Sequence, residues 1–158
     1  MNRSINQYGI VIAVLLAALI QTSEAGSWGR SVTIQNAQGI THRRISGTYG
    51  GGTATRYATT TIPDGRTFTN STTAKRTANG WNVNGQYTNG AGGTGHYSSN
   101  VVLAPGVTTK NQQLTTASGE TYYRKVQTTY GNGSATRTIT LTNPDGTSQS
   151  RTVTVTPN

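Results

Sequence analysis

Beyond residue 26 the chain alternates apolar and polar side chains one by one, and a period of two sends successive side chains to opposite faces of an extended strand. Val32 and Ile34 alternate with Ser31, Thr33 and Gln35; Ile139 and Leu141 with Thr138, Thr140 and Thr142; Val153 and Val155 with Thr152, Thr154 and Thr156. Within each run the large side chains keep one parity: Trp81, Val83 and Tyr87, then Tyr97, Val101 and Leu103, then Tyr122, Val126 and Tyr130. No stretch after Gly26 carries helical spacing.

Turn formers punctuate these runs at Asn36-Ala37-Gln38-Gly39, Pro63-Asp64-Gly65, Asn79-Gly80, Asn89-Gly90, Ser118-Gly119 and Pro144-Asp145-Gly146. Proline presets the φ of a turn's first central residue, and Gly and Asn accept the positive φ that tight hairpins require. The expected fold is therefore all-β, some ten to twelve antiparallel strands in a meander. Threonine suits it, because the branched Cβ favours the pleated conformation and hydroxyls bond across strands on a wet face. Leu, Ile, Val and Phe are few, so Tyr49, Tyr57, Trp81, Tyr87, Tyr97, Tyr122, Tyr123 and Tyr130 are expected to supply most of the large buried area.

The chain also repeats. GTYGGGTATRYATTTIPDGRT, residues 47–67, and TTYGNGSATRTITLTNPDGTS, residues 128–148, share Tyr, Gly, Ala-Thr-Arg and Pro-Asp-Gly in register. A weaker middle copy at Asn89–Gly95 and Ala104-Pro105-Gly106 suggests three units, about 31–69, 73–109 and 112–156, with a period of about 40 residues. A β-trefoil or β-prism wants a denser aliphatic centre, which leaves a twisted sheet, a thin sandwich or a solenoid-like stack. PDGRT at 63–67 and NPDGT at 143–147 resemble the Pro-Asp-Gly half of the YD/RHS repeats of exported bacterial shell proteins. The Tyr-Asp half of that repeat has no counterpart, so the resemblance implies shared hairpin chemistry and transfers no activity.

The N-terminus predicts export. Arg3 gives a positive start, Ile10–Ile20 is an apolar run, and Ser23-Glu24-Ala25 places small residues where signal peptidase inspects them. About 11 apolar residues are too few for a bilayer-spanning helix of roughly 20, so residues 1–25 read as a signal helix cleaved between Ala25 and Gly26, leaving no permanent membrane anchor. The mature domain, 26–158, is then secreted, extracellular or in the cell envelope. With no cysteine it has neither disulfides nor a lipid-modified cysteine, and loss of Arg3 and Glu24 leaves the net charge of +9 unchanged.

Catalysis by paired carboxylates needs two acids held close in different environments. Past the signal only Asp64, Glu120 and Asp145 remain, all beside turn glycines, while His42 and His96 lack companions for a metal site or a triad. The glycine clusters at Gly50–Gly52, Gly90–Gly95 and Gly131–Gly133 open no helix and so are not phosphate cradles. The expectation is a protein without catalytic residues, metal or cofactor. Arg43, Arg44, Arg56, Arg66, Lys75, Arg76, Lys110, Arg124, Lys125, Arg137 and Arg151 are spread along the sequence, which suggests a diffusely basic surface. Two functions fit: an exported structural or surface protein that self-associates, or a secreted module binding carbohydrate or polyanion, such as acidic polysaccharide or an envelope surface, with no specific nucleic acid partner. The side chains expected to carry such binding are Trp81, Tyr87, Tyr97, Tyr122 and Arg124.

Overall fold

The computed structural model describes residues 25–156. Ten strands follow one another: β1 (Gly26–Asn36), β2 (Gly39–Gly50), β3 (Thr53–Thr61), β4 (Thr67–Thr77), β5 (Gly80–Thr88), β6 (Thr94–Ala104), β7 (Val107–Thr115), β8 (Thr121–Gly131), β9 (Ser134–Thr142) and β10 (Ser148–Val155). Strand order in the sheet equals order in the chain, and every neighbour pairs antiparallel. The all-β antiparallel meander is thus as the alternation requires, and of the architectures considered it takes the single sheet rather than the sandwich or the stack. The signal helix expected over 1–25 falls, Ala25 apart, outside the described residues.

The turns show what repeats. Ile62, Asn89, Thr116 and Asn143 each receive an N–H from the residue three positions on and donate to the carbonyl four positions on, closing three-residue loops that end in Gly65, Gly92, Gly119 and Gly146. Those four glycines have φ of 84°, 83°, 88° and 82°, the left-handed residue that follows a type I turn in such loops. The four turns open 27 residues apart, and the two-residue turns at 51–52, 78–79, 105–106 and 132–133 keep the same spacing. The recurring unit is therefore a 27-residue hairpin. The 81 residues separating the two sequence copies are three such hairpins, which corrects the period of about 40 residues.

Register divides the side chains into two dissimilar faces. Following the pairs Gly26↔Tyr49, Tyr49↔Ala54, Ala54↔Ala74, Ala74↔Val83, Val83↔Ser99, Ser99↔Gln112, Gln112↔Arg124 and Arg124↔Leu141 traces one row of the first face. This aromatic face carries both tryptophans, Phe68, Tyr49, Tyr87, Tyr97, Tyr122 and Tyr130. Thr, Ser, Asn and Gln dominate the opposite, hydroxyl face.

Every buried side chain lies on the aromatic face: Ala54, Ala58, Thr72, Ala74, Val83, Ser99, Val101 and Val126. With no second layer above them among the described residues, these small residues are covered by neighbours on the same face, and Tyr49, Trp81 and Tyr97 pack against the cluster of Ala54, Ala74 and Val83. Glycines opposite the rings make that covering possible. Gly26 faces Tyr49, Gly47 faces Trp28, Gly85 faces Tyr97 and Gly95 faces Tyr87, and a Cβ on any of them would run into the opposing ring. Not all the expected aromatics serve this role. Tyr57 and Tyr123 project from the hydroxyl face, and with Tyr130 each stays half exposed or more, at 50%, 51% and 54%. Tyr122 and Tyr123 are adjacent in one strand and so point to opposite sides of the sheet.

The hydroxyl face holds itself together by short ladders. Thr136 bonds Thr154 at 3.1 Å, Thr138 bonds Thr152 at 3.1 Å, Thr140 bonds Ser150 at 2.9 Å and Thr142 bonds Ser148 at 2.8 Å, tying β10 to β9. Thr48 and Thr55 repeat the motif at 2.7 Å between β2 and β3. Cross-strand pairs of this kind contribute about 0.2–1 kcal/mol each, so threonine supplies along the sheet part of what a thicker core would supply beneath it.

Candidate functional site

Trp81 and Tyr87 of β5, Tyr97 of β6, and Tyr122 and Arg124 of β8 all stand on the aromatic face, and all are half-buried. The rings of Tyr87 and Tyr97 lie over the backbone at Gly95 and Gly85, so one ring face of each covers the sheet. Tyr97 is anchored further: its hydroxyl bonds that of Thr72, and the two hydroxyls lie 3.3 Å and 3.0 Å from Asn70 Oδ1, which accepts from whichever of them is not donating to the other. Replacing Tyr97 with phenylalanine is expected to lower unfolding free energy by about 1 kcal/mol in urea titration, the net worth of a partly buried hydrogen bond. An unchanged midpoint would show that the ring alone holds this place.

The cations spread along the sequence are gathered by the register. Arg30, Arg43, Arg56, Arg76, Lys110, Arg124, Arg137 and Arg151 share the aromatic face, whereas only Arg44, Lys75 and Lys125 project from the strands on the hydroxyl side. The basic surface is thus one-sided, a correction to the diffuse distribution expected. Amide oxygens, not carboxylates, orient two of these cations: Arg56 donates to Asn70 Oδ1 at 3.5 Å and Arg124 to Gln112 Oε1 at 3.1 Å. Burial first, then Arg43, holds the Arg56 guanidinium below its usual pKa, with Tyr97 opposing. Lys110 is lowered by burial and then by Arg124 and Arg137, and Arg124 by burial and Arg137.

The carboxylates lie elsewhere. Asp64, Glu120 and Asp145 occupy the three-residue-loop end of the sheet, at the β3–β4, β7–β8 and β9–β10 turns. Asp64 accepts from the Arg66 backbone N–H at 3.0 Å and side chain at 2.6 Å, Asp145 accepts from the Thr147 N–H at 2.9 Å and hydroxyl at 2.6 Å, and Glu120 accepts from Ser118 at 3.3 Å. Arg66–Asp64 is the one salt bridge among the described residues. The hydrogen bonds from Arg66 and from Thr147 hold the Asp64 and Asp145 carboxyls below their usual pKa. A depressed folded-state pKa gives stabilisation that is complete above the unfolded value and lost as pH falls through the folded one. Acidification is accordingly expected to loosen these two turns before the sheet, read as amide shifts of Arg66 and Thr147 that follow carboxylate titration; amides insensitive to that titration would contradict it.

His42 and His96 also stand on the hydroxyl face, in β2 and β6, with Thr33 Oγ1 3.3 Å from the His42 ring. Two open depressions on that side flank Tyr57, one bordered by Ser46, Thr48, Ser71 and Thr73, the other by Ser31, Thr33, His42 and Arg44. No family model matches the chain, and neither a curated protein nor a solved structure matches it.

Sequence reasoning passed over Trp28, Arg43, Arg56, Lys110 and Arg137 as companions of the five residues it named. The 27-residue spacing would have found most of them: Arg56, Lys110 and Arg137 occupy one position of successive hairpins, with Val83 between Arg56 and Lys110, and Arg30 holds the same position ahead of a first turn one residue shorter.

Proposed function

We propose that the chain is an exported structural protein without enzymatic activity, whose single sheet extends edge to edge into a layer or matrix at or outside the cell surface. The observation that carries this reading is the pair of open edges: among the described residues β1 pairs only with β2 and β10 only with β9. An even number of strands makes these edges antiparallel to each other, so β10 of one copy beside β1 of the next continues the meander with every face kept on its own side. Such contact is heterologous and does not close. Repeating the β8–β9 register across the junction sets Val153 against Val32 and Arg151 against Ile34, covering Val153 and Ile34, which are 40% and 53% exposed on the single chain. Cleavage after Ala25 leaves every strand whole, since β1 begins at Gly26. Sedimentation velocity of the secreted form should show weight-average mass rising with concentration, and a strict monomer across a wide range would overturn the reading.

A further inference from the structure

We propose that the aromatic face binds a linear acidic polysaccharide, its carboxylates or sulfates held by the cation groups Arg43–Arg56 and Lys110–Arg124–Arg137 and its sugar rings lying against Trp81 and Tyr97 between them. The track is contained in one chain and does not depend on edge assembly.

Charge placement is the first argument. Every carboxylate among the described residues sits in a turn at one end of the sheet and is already engaged there, so no acid neutralises the cations of this face. The fold brings like charges together in a half-buried setting, which lowers the proton affinity of Arg56, Lys110 and Arg124, and an arriving anion relieves that repulsion. Asn70 and Gln112 fix two of the guanidinium groups through neutral oxygens, orienting them while leaving their charge unspent.

Spacing argues for a sugar chain. Arg56's row meets β5 at Gly85, two residues from the equivalent Val83, and Lys110's row meets β9 at Ile139, two residues from the equivalent Arg137. Equivalent positions therefore step two strands across and two residues along, about 10 Å by 7 Å, a diagonal of about 12 Å. That is close to the length of two linked pyranose rings. Where the track crosses the middle hairpin the cation is replaced by Val83, and Trp81 and Tyr97 pack beside it, a surface suited to the apolar face of a sugar. A planar anionic bilayer would be met best by fully exposed cations, whereas three of the five named here, Arg56, Lys110 and Arg124, sit among their neighbours half-buried and only Arg43 and Arg137 stand exposed.

The test uses the full secreted chain on immobilised alginate, which presents uronates, and heparin, which adds sulfates, beside neutral dextran, a single-stranded oligonucleotide and phosphatidylglycerol vesicles. Alginate, heparin or both should retain it, with dextran inert. The triple variant K110Q/R124Q/R137Q should bind about tenfold more weakly or worse, while R44Q/K75Q/K125Q, with the same loss of charge on the hydroxyl face, stays within about twofold of the parent. Because Arg124 also contacts Gln112, the pair R43Q/R137Q at exposed positions provides a second reading, expected at several-fold loss with an unchanged β spectrum by circular dichroism. Equal weakening by the two triple variants would reduce the effect to net charge and overturn the proposal. So would retention by oligonucleotide or vesicles but by neither polysaccharide, or no retention at all.

Discussion

Gly85→Val is expected to cost about 2 kcal/mol of stability and to lower the melting temperature by on the order of 10 °C. A valine Cβ at this position would fall within the Tyr97 ring, and moving the ring breaks its hydroxyl contacts with Thr72 and Asn70 and uncovers the cluster of Ala54, Ala74 and Val83. Overpacking of this kind costs about 1–3 kcal/mol, the lost hydrogen bonding about 1 more, and the strand preference of valine returns no more than about 1. The comparison is Gly131→Val at the end of β8, where, its chain neighbours apart, no atom of the described residues lies within 4 Å of the added Cβ and φ is not positive. There the same exchange is expected to raise stability by a few tenths of a kcal/mol up to about 1. Thermal unfolding followed at the tyrosine and tryptophan bands measures both, and a Gly85→Val protein as stable as the parent would show that the rings do not hold the sheet.

The same residues show which parts of the fold could be read without coordinates. Alternation at Val153/Val155 and Ile139/Leu141 fixes strand and face within a segment because the side-chain period is two. It says nothing about which face of one strand continues which face of the next, since that depends on each turn's length. Once the loops after β2 are known to alternate between two and three residues, the large residues of β5, β6 and β8 join on one side, and cations distant in sequence join them. The hairpin period was obscured by substitution: Val83 interrupts the series of Arg56, Lys110 and Arg137, and Asn89-Gly90-Ala91-Gly92 stands where two other hairpins carry Pro-Asp-Gly. The copies that survive best lie three hairpins apart, and dividing their separation by two instead of three gives the longer period. The placement of Tyr123 was legible all along, since neighbours in a strand cannot share a face.

Ser31→Pro should abolish edge-to-edge association while leaving the fold of the single chain intact. Hydrogen-bonded and non-bonded pairs alternate in an antiparallel ladder, and counting from the two-residue turn at 37–38 makes Asn36↔Gly39 bonded and Ser31↔Arg44 non-bonded. The Ser31 N–H and C=O therefore point away from β2, to the open edge. Proline there removes a donor that no partner among the described residues uses, and edge strands accept it for that reason. The residue before it, Arg30, is already extended, as proline requires of its neighbour. A β10 edge arriving from another copy would lose one ladder bond and leave a carbonyl unpaired, a cost of about 2–3 kcal/mol, or roughly a hundredfold in association constant. Ser31→Ala keeps the N–H and removes only an exposed hydroxyl, so it should assemble like the parent. If sedimentation shows the proline variant associating as readily as the alanine variant, the copies meet through a face or a turn and not through β1.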